Sequence, residues 1–475
     1  MSVSVSSGIR HSLRASTNDD LLEMKRSPTG AAALPLFLFL LALIFSPTLP
    51  AHAADFEIAD LETFRQDPFL CIRGDFDTPL LSPDLQRQMK QRYDSAYYAP
   101  WRQKKPERGI ESLTWGFSTY GKKETFGENR RRRSPEWFAR QRKNANESLF
   151  GTENRPAIAV CEADLRIFPS ADPLFFDFDE AGEGYPFDYG QNSVVKPGEP
   201  LFVSHRSADG AWYFVDAPTA SGWIDARRIG VMDSADVILF SSPDRIVLFR
   251  DDFPLADERG AYLGRAKTGA QFPLLETDLL HGSLRVRVPL RRTDGGVEPG
   301  SAVIPIVDAT RLPLPLTSWN GALVASSLLA EPYGWGGLHG RRDCSALVMD
   351  FFAPFGVAMP RNSREQAGTG RWIDLKGKDF EEKERILLKE GIPFRTLVAM
   401  PGHIMLYIGQ RRGHPLVFHN MWGVRTRNSG RPGRHIVGKA VITTLAPGME
   451  LPDHDGVPAG RITGLTIIGE SRPGE

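Results

Sequence analysis

The sequence predicts a multidomain chain of the α+β class, and three observations carry that prediction. At roughly 100–200 residues per domain, 475 residues make three or four domains. Residues 155–312 are short runs rich in Val, Ile, Phe and Trp, separated by Gly, Pro, Asp and Asn, which is the rhythm of small β-barrels. Residues 313–475 place helical segments ahead of a meander of strand signals, the order expected where helices pack on an antiparallel sheet.

The chain opens with an export signal, read over residues 1–53. Met24-Lys25-Arg26 is a positive start, Ala31–Phe45 an apolar run, and Ala51-His52-Ala53 a small-residue cleavage site that would free Ala54. Translation could begin at Met1 or at Met24. The apolar run is shorter than the ~20 residues of a spanning helix. The expectation is an exported, periplasmic or cell-wall-associated protein with no stable membrane anchor after cleavage.

Residues 54–150 read as a helical segment, with "SPDLQRQMKQRYDSAYYAPW" as its clearest helix. Arg130 to Arg133 reads as a solvated face. Two barrels follow, over 151–234 and 235–312. In the first, "HRSADGAWYFV" is a hairpin turning at Asp209-Gly210. In the last unit, 313–475, "TSWNGALVASSLLA" is a helix with Thr317 as its N-cap. Basic and acidic residues balance at 58 each, which argues against a broad nucleic-acid surface.

Three cysteines are too few for a disulfide framework, and the odd count leaves at least one unpaired within the chain. Cys71 and Cys161 sit in apolar or strand-like runs and read as structural thiols, with pairing between them left open. Cys344 differs. In "RRDCSALVMDFF" it stands at the start of a helix whose apolar positions, Ala346, Leu347, Phe351 and Phe352, suit one buried face. A helix N-terminus offers free N–H groups and positive potential, so a thiol there should ionise more easily. Asp343 opposes this, because a carboxylate raises a neighbouring thiol. Either Asp343 is an N-cap or it faces a cationic group on the substrate, and both readings stay open.

A nucleophilic cysteine needs a base, and the base an orienter. "GHIMLYIGQRRGHPLVFHN" supplies two histidines. A hairpin turning about Arg411 sets Ile404 opposite Phe418, Leu406 opposite Leu416 and His403 opposite His419. A one-residue slip would bring Asn420 to His403 instead. A zinc site from Cys344, His403 and His419 is the alternative use of the same residues, although no close-spaced ligand pair lies within one element.

Five stretches, "PYGWGG", "DCSALVMDFF", "PRNSREQ", "GHIMLYIG" and "VFHNMWG", together resemble the NlpC-type cell-wall cysteine peptidases. The barrel stretches "LRIFPS", "DGAW" and "GWID" resemble a bacterial SH3-like barrel, and the second barrel is a weaker match. The whole order resembles the subgroup with a helical N-terminal segment and two such barrels before a papain-like catalytic domain. The resemblance implies hydrolysis of the γ-D-glutamyl to diamino acid bond in peptidoglycan stem peptides, L-Ala-γ-D-Glu-diamino acid, by a monomer without cofactor or metal. It implies Cys344 as nucleophile, His403 as general base and His419 as orienter. Tyr333 would lie near the oxyanion, and Asp343, Ser345 and Ser363 would line a subsite for a free L-Ala amine. "GYPFDYGQ", 184–191, is the barrel loop expected to close that subsite. Two other functions remain: an amidase cutting glycan from L-Ala, and a wall-binding protein with a degenerate last domain. The intact Cys, His, His set argues against the latter.

Overall fold

A computed structural model describes residues 57–456 and 458–470. The expected export signal lies outside the described residues. Among those residues no helix is long and apolar enough to cross a membrane.

Among the described residues the α-helices of the N-terminal segment are Ala59–Thr63, Pro83–Tyr97, Ala99–Arg102, Glu111–Tyr120 and Pro135–Asn144. Ser82 caps the longest, its hydroxyl accepting from the Leu85 N–H. Among the described residues the segment's apolar side chains join cores shared with the later domains. Leu113, Phe117, Trp137 and Phe138 pack on Phe168, Phe214 and Trp223 of the first barrel. That barrel is a seven-stranded sheet running from Arg155–Ala159 to Ile229–Val231, filled by Leu165, Val203, Val215 and Ile224. The second barrel spans Arg245–Leu248 to Ala309–Arg311 around Ile246, Phe272, Val286 and Ile304.

The last unit is built on a six-stranded antiparallel sheet. Its order is Arg371–Asp374, Gly464–Ile467, Thr396–Met400, His403–Arg411, His414–Asn428, Arg431–Thr443. Thr317 caps the helix Ser318–Leu328 through its hydroxyl. The helix Cys344–Phe352 buries Leu347, Val348 and Phe351 against Ile404, Leu406 and Phe418. Ile404 and Leu406 share a strand face by the period of two, and that face is the one this helix covers.

The histidine hairpin corrects the expected register. Its turn is Arg412-Gly413, both at positive φ (51° and 87°), with Arg411 opposite His414. A two-residue turn of this kind matches strand twist and lies further along than a turn about Arg411. A bulge between Tyr407 and Gly409 then takes back one residue, so Leu406, not Ile404, faces Phe418. The net displacement is two residues. Because side chains alternate, an even displacement keeps His419 on the side of His403, as a diagonal rather than direct neighbour.

Where the three folded units meet, Arg342 is buried. Its Nε donates to Asp350 Oδ2 at 2.7 Å, and its two terminal nitrogens donate to Asp251 of the second barrel at 2.9 and 2.7 Å. Lys196 of the first barrel pairs with the other oxygen of Asp350 at 2.7 Å. Lys267 lies 3.6 Å from both Asp251 and Glu331. Burial pushes the Asp251 carboxyl up, but Arg342 and Lys267 outweigh it and hold the group far below its usual value.

Gly409 sets the bulge at φ 128°, and a Cβ there would fall 2.7 Å from the Cys71 carbonyl oxygen. Gly409→Ala should therefore lower stability by about 1–3 kcal/mol, read by denaturant unfolding. Unchanged stability would show that the bulge can move freely.

Candidate active site

The Cys344 helix begins where its cap dictates. Asp343 is extended, and its Oδ1 accepts from the Ala346 N–H at 2.8 Å. The carboxylate is then used completely. Oδ1 also accepts from the Ser345 hydroxyl at 2.8 Å and Arg361 Nη1 at 3.1 Å. Oδ2 accepts from the Gly336 N–H at 3.1 Å and Arg361 Nη2 at 2.7 Å. The N-cap reading of Asp343 therefore holds, and the cation it faces is the chain's own Arg361 rather than a group on the substrate. Burial alone would raise the Asp343 carboxyl, but Arg361, the Ala346 N–H and the Ser345 hydroxyl hold it below its ordinary value. Arg361 stands in the quoted "PRNSREQ", yet the sequence reading gave it no role. An arginine 18 residues from its partner carries no periodic signal.

The expectation of an easily ionised thiol is reversed. Burial first, and then Asp343, push Cys344 up to about 12, and the N–H groups of Ile404 and Ser345 recover only part of this. Burial, aided by Arg461, lowers His403 to about 4. The resting pair is thus a neutral thiol and a neutral imidazole.

His403 and His419 are joined, Nε2 to Nδ1, at 2.7 Å, with ring centroids 5.0 Å apart. Burial and the neighbouring His403 keep His419 well below its usual value. Its Nε2 meets Thr443 Oγ1 at 3.0 Å. Cys344 and the histidines connect at Ile404, the residue after His403, whose N–H bears on the sulfur. Asn420 turns away, donating to the carbonyls of Glu331 and Arg342 at 3.3 and 3.0 Å.

Tyr333 is half-buried beside Cys344 and Asp343, and loss of solvent first, then those neighbours, raises its hydroxyl well above its ordinary value. Ser345 is held between Asp343 and Arg361, accepting from Arg361 Nη1 at 2.9 Å. Ser363 opens the short helix Ser363–Gln366 and has no side-chain hydrogen bond to this group. The first barrel closes over the site. The Phe187 ring meets those of Tyr333, Trp335 and Trp422 tilted or edge-on, with centroids 5.9, 5.6 and 5.7 Å apart, and the Tyr189 ring lies 5.4 Å from that of Trp335. Ser193 of the same barrel meets Arg361 Nε at 3.1 Å. Cys71 and Cys161 are free thiols.

Comparison with known proteins places this geometry in a class. Residues 330–428 match the model of the NlpC/P60 family. Residues 33–150 match the N-terminal NLPC_P60 stabilising domain, 173–225 an SH3 domain of SH3b1 type and 238–278 one of SH3b2 type. The chain thus carries, in order, a helical segment matching the stabilising domain, two SH3-like domains and an NlpC/P60 domain. An NlpC/P60 endopeptidase from Photobacterium damselae subsp. piscicida shares the fold, at 23% identity and a TM-score of 0.77, over 86% of this chain and 98% of that one. An NlpC/P60 family protein from Bacillus cereus is more distant, at 16% identity and a TM-score of 0.43, over 66% and 98% of the two chains. No curated protein matched by sequence.

Arg361→Ala should leave a buried, unpaired carboxylate next to the thiol and lower stability by about 3–5 kcal/mol, with thermal unfolding as the check. At pH 7, iodoacetamide should label the partly exposed Cys161 before Cys344. Faster labelling of Cys344 would show that the thiol is ionised at rest.

Proposed function

We propose that this protein is a cysteine hydrolase of peptidoglycan stem peptides, cutting between γ-D-Glu and the diamino acid, with Cys344 as nucleophile, His403 as general base and His419 as orienter. The observation that supports this reading best is the paired histidines at 2.7 Å next to a cysteine at a capped helix start. A neutral thiol cannot attack unaided, so deprotonation accompanies attack. As Cys344 Sγ bonds to the carbonyl carbon, its proton passes to His403 and the carbonyl becomes an oxyanion. Tyr333, kept neutral, donates to that oxygen. Collapse breaks the C–N bond, His403 returns the proton to the leaving amine, and an acyl-thioester remains. Water, deprotonated by His403, then releases the γ-carboxylate and the thiol.

The free L-Ala requirement takes a different physical basis from the one expected. Arg361 already neutralises Asp343, so that carboxylate has no charge to spare for a substrate ammonium. Phe187 and Tyr189 instead form an aromatic wall against Tyr333 and Trp335, where a substituent on the amine would collide. The same neutralised carboxylate favours a second reading, an amidase that accepts stem peptides still on glycan, and the aromatic wall opposes it. On either reading the buried Ser345 shapes the site through Asp343 and Arg361, and the half-buried Ser363 is the hydroxyl left for substrate.

Products identified by mass decide between the two. Free L-Ala-γ-D-Glu-diaminopimelate should be cut at least about a hundredfold faster than its N-acetylated form, roughly 2.7 kcal/mol. Phe187→Ala should narrow that gap. Release of intact stem peptides from sacculi would establish the amidase instead. Cys344→Ala should lose at least about a thousandfold in rate while staying folded. With His403 lowered to about 4, the base is neutral above that value, so the acid limb of kcat/KM should fall near 4 rather than at the ordinary histidine value of about 6.5.

A further inference from the structure

His403 can act as base only if its free lone pair faces the thiol, so the proton positions on both imidazoles matter. They follow from the strand residues around Thr443. The Thr443 hydroxyl donates its one proton to the Thr444 carbonyl at 2.8 Å. Toward His419 Nε2, at 3.0 Å, Oγ1 can therefore only accept. His419 thus carries its proton on Nε2 and accepts at Nδ1. His403 must then donate from Nε2 across the 2.7 Å contact, which leaves Nδ1 as its unprotonated nitrogen. Among the described residues, His403 Nδ1 has no hydrogen-bond partner. Thr443 is fully buried and His419 nearly so, so water does not compete for these bonds.

What holds Thr443 is not the sheet alone. The N-terminal segment, hundreds of residues earlier, grips the residue on each side. Gln66 accepts from the Ile442 N–H at 2.7 Å through Oε1 and donates to the Ile442 carbonyl at 3.0 Å through Nε2. Asp60 Oδ2 accepts from the Thr444 N–H at 2.7 Å and from the Thr444 hydroxyl at 2.9 Å. Ile58 and Leu61 pack beneath, against Met421 and Val441. These four bonds hold Ile442 and Thr444 on either side of Thr443, and so hold the residue whose carbonyl takes the Thr443 proton.

We propose that the N-terminal segment is a positioning element for the general base: by clamping Ile442 and Thr444 it orients the Thr443 hydroxyl, which sets the tautomers of His419 and His403. The proposal rests on His403 being the base. Asp60, Gln66 and Thr443 are positioning residues in this account, since none of them touches substrate.

The test uses the mature chain and reads proton positions directly. In wild type, ¹⁵N shifts of the imidazoles should show His403 and His419 both protonated at Nε2. Thr443→Val, which keeps shape and removes the hydroxyl, should redistribute the protons and lower kcat by about a hundredfold with KM little changed. Thr443→Ser should restore both. Asp60→Asn and Gln66→Ala, separately, should shift the same ¹⁵N signals in the same direction and lower kcat about 3–30-fold. If the variants lose thermal stability while the wild-type tautomers and kcat persist, the segment is only a brace and the proposal is overturned. The same holds if Thr443→Val alone has an effect and the Asp60 and Gln66 variants have none. The ¹⁵N readout needs no substrate, so an error in the proposed bond would leave it standing and show only in the products.

Discussion

One buried guanidinium organises the molecule. Arg342 sits at the junction of both barrels and the last domain, and its donors are divided between Asp350, on the cysteine helix, and Asp251, on the second barrel. Lys196 and Lys267 complete the junction from the two barrels. A cation this deep costs several kcal/mol in lost hydration and is tolerated only when its donors are satisfied. That condition cannot be met by any one domain. The barrels are therefore part of the folded unit, and the two residues after Arg342 are Asp343 and Cys344.

The same economy of charge governs the site. Asp343 would raise the neighbouring thiol and would be costly to bury alone, so Arg361 pairs with it in a two-pronged contact that also holds Ser345. The result is a site that is polar in composition but nearly neutral in field: a protonated thiol, two uncharged imidazoles and a compensated carboxylate. Separation of charge is deferred until a substrate carbonyl is present to accept it. An uncharged thiol and imidazole also make the resting cysteine a poor target for oxidants, which react with the thiolate.

Each of the earlier segments reaches the site by a different route. The first barrel supplies Phe187 and Tyr189 as a wall and Ser193 as a partner of Arg361. The second barrel supplies Asp251 behind the cysteine helix. The N-terminal segment supplies Asp60 and Gln66 along the open edge of the sheet, at the residues flanking Thr443. The cysteine and the histidines belong to one domain, and their surroundings belong to all four parts of the chain.

Local signals determined a good deal on their own. The cap at Thr317, the cysteine at a helix start, the barrel rhythm and the grouping of His403 with His419 all depend on residues close in sequence, where periodicity and capping chemistry operate. Even the misplaced hairpin register preserved the pairing, because two residues of error return a strand side chain to its own face. Tertiary structure alone decided the rest. The bulge at Gly409 answers to the Cys71 carbonyl behind it. The state of the thiol answers to burial, and the carboxylate beside it to Arg361, whose guanidinium arrives from another loop. The proton on each histidine answers to a threonine held by a segment about 380 residues away in sequence. Charge and proton placement depend on which groups share a buried volume, and sequence distance says nothing about that until the chain has closed around it.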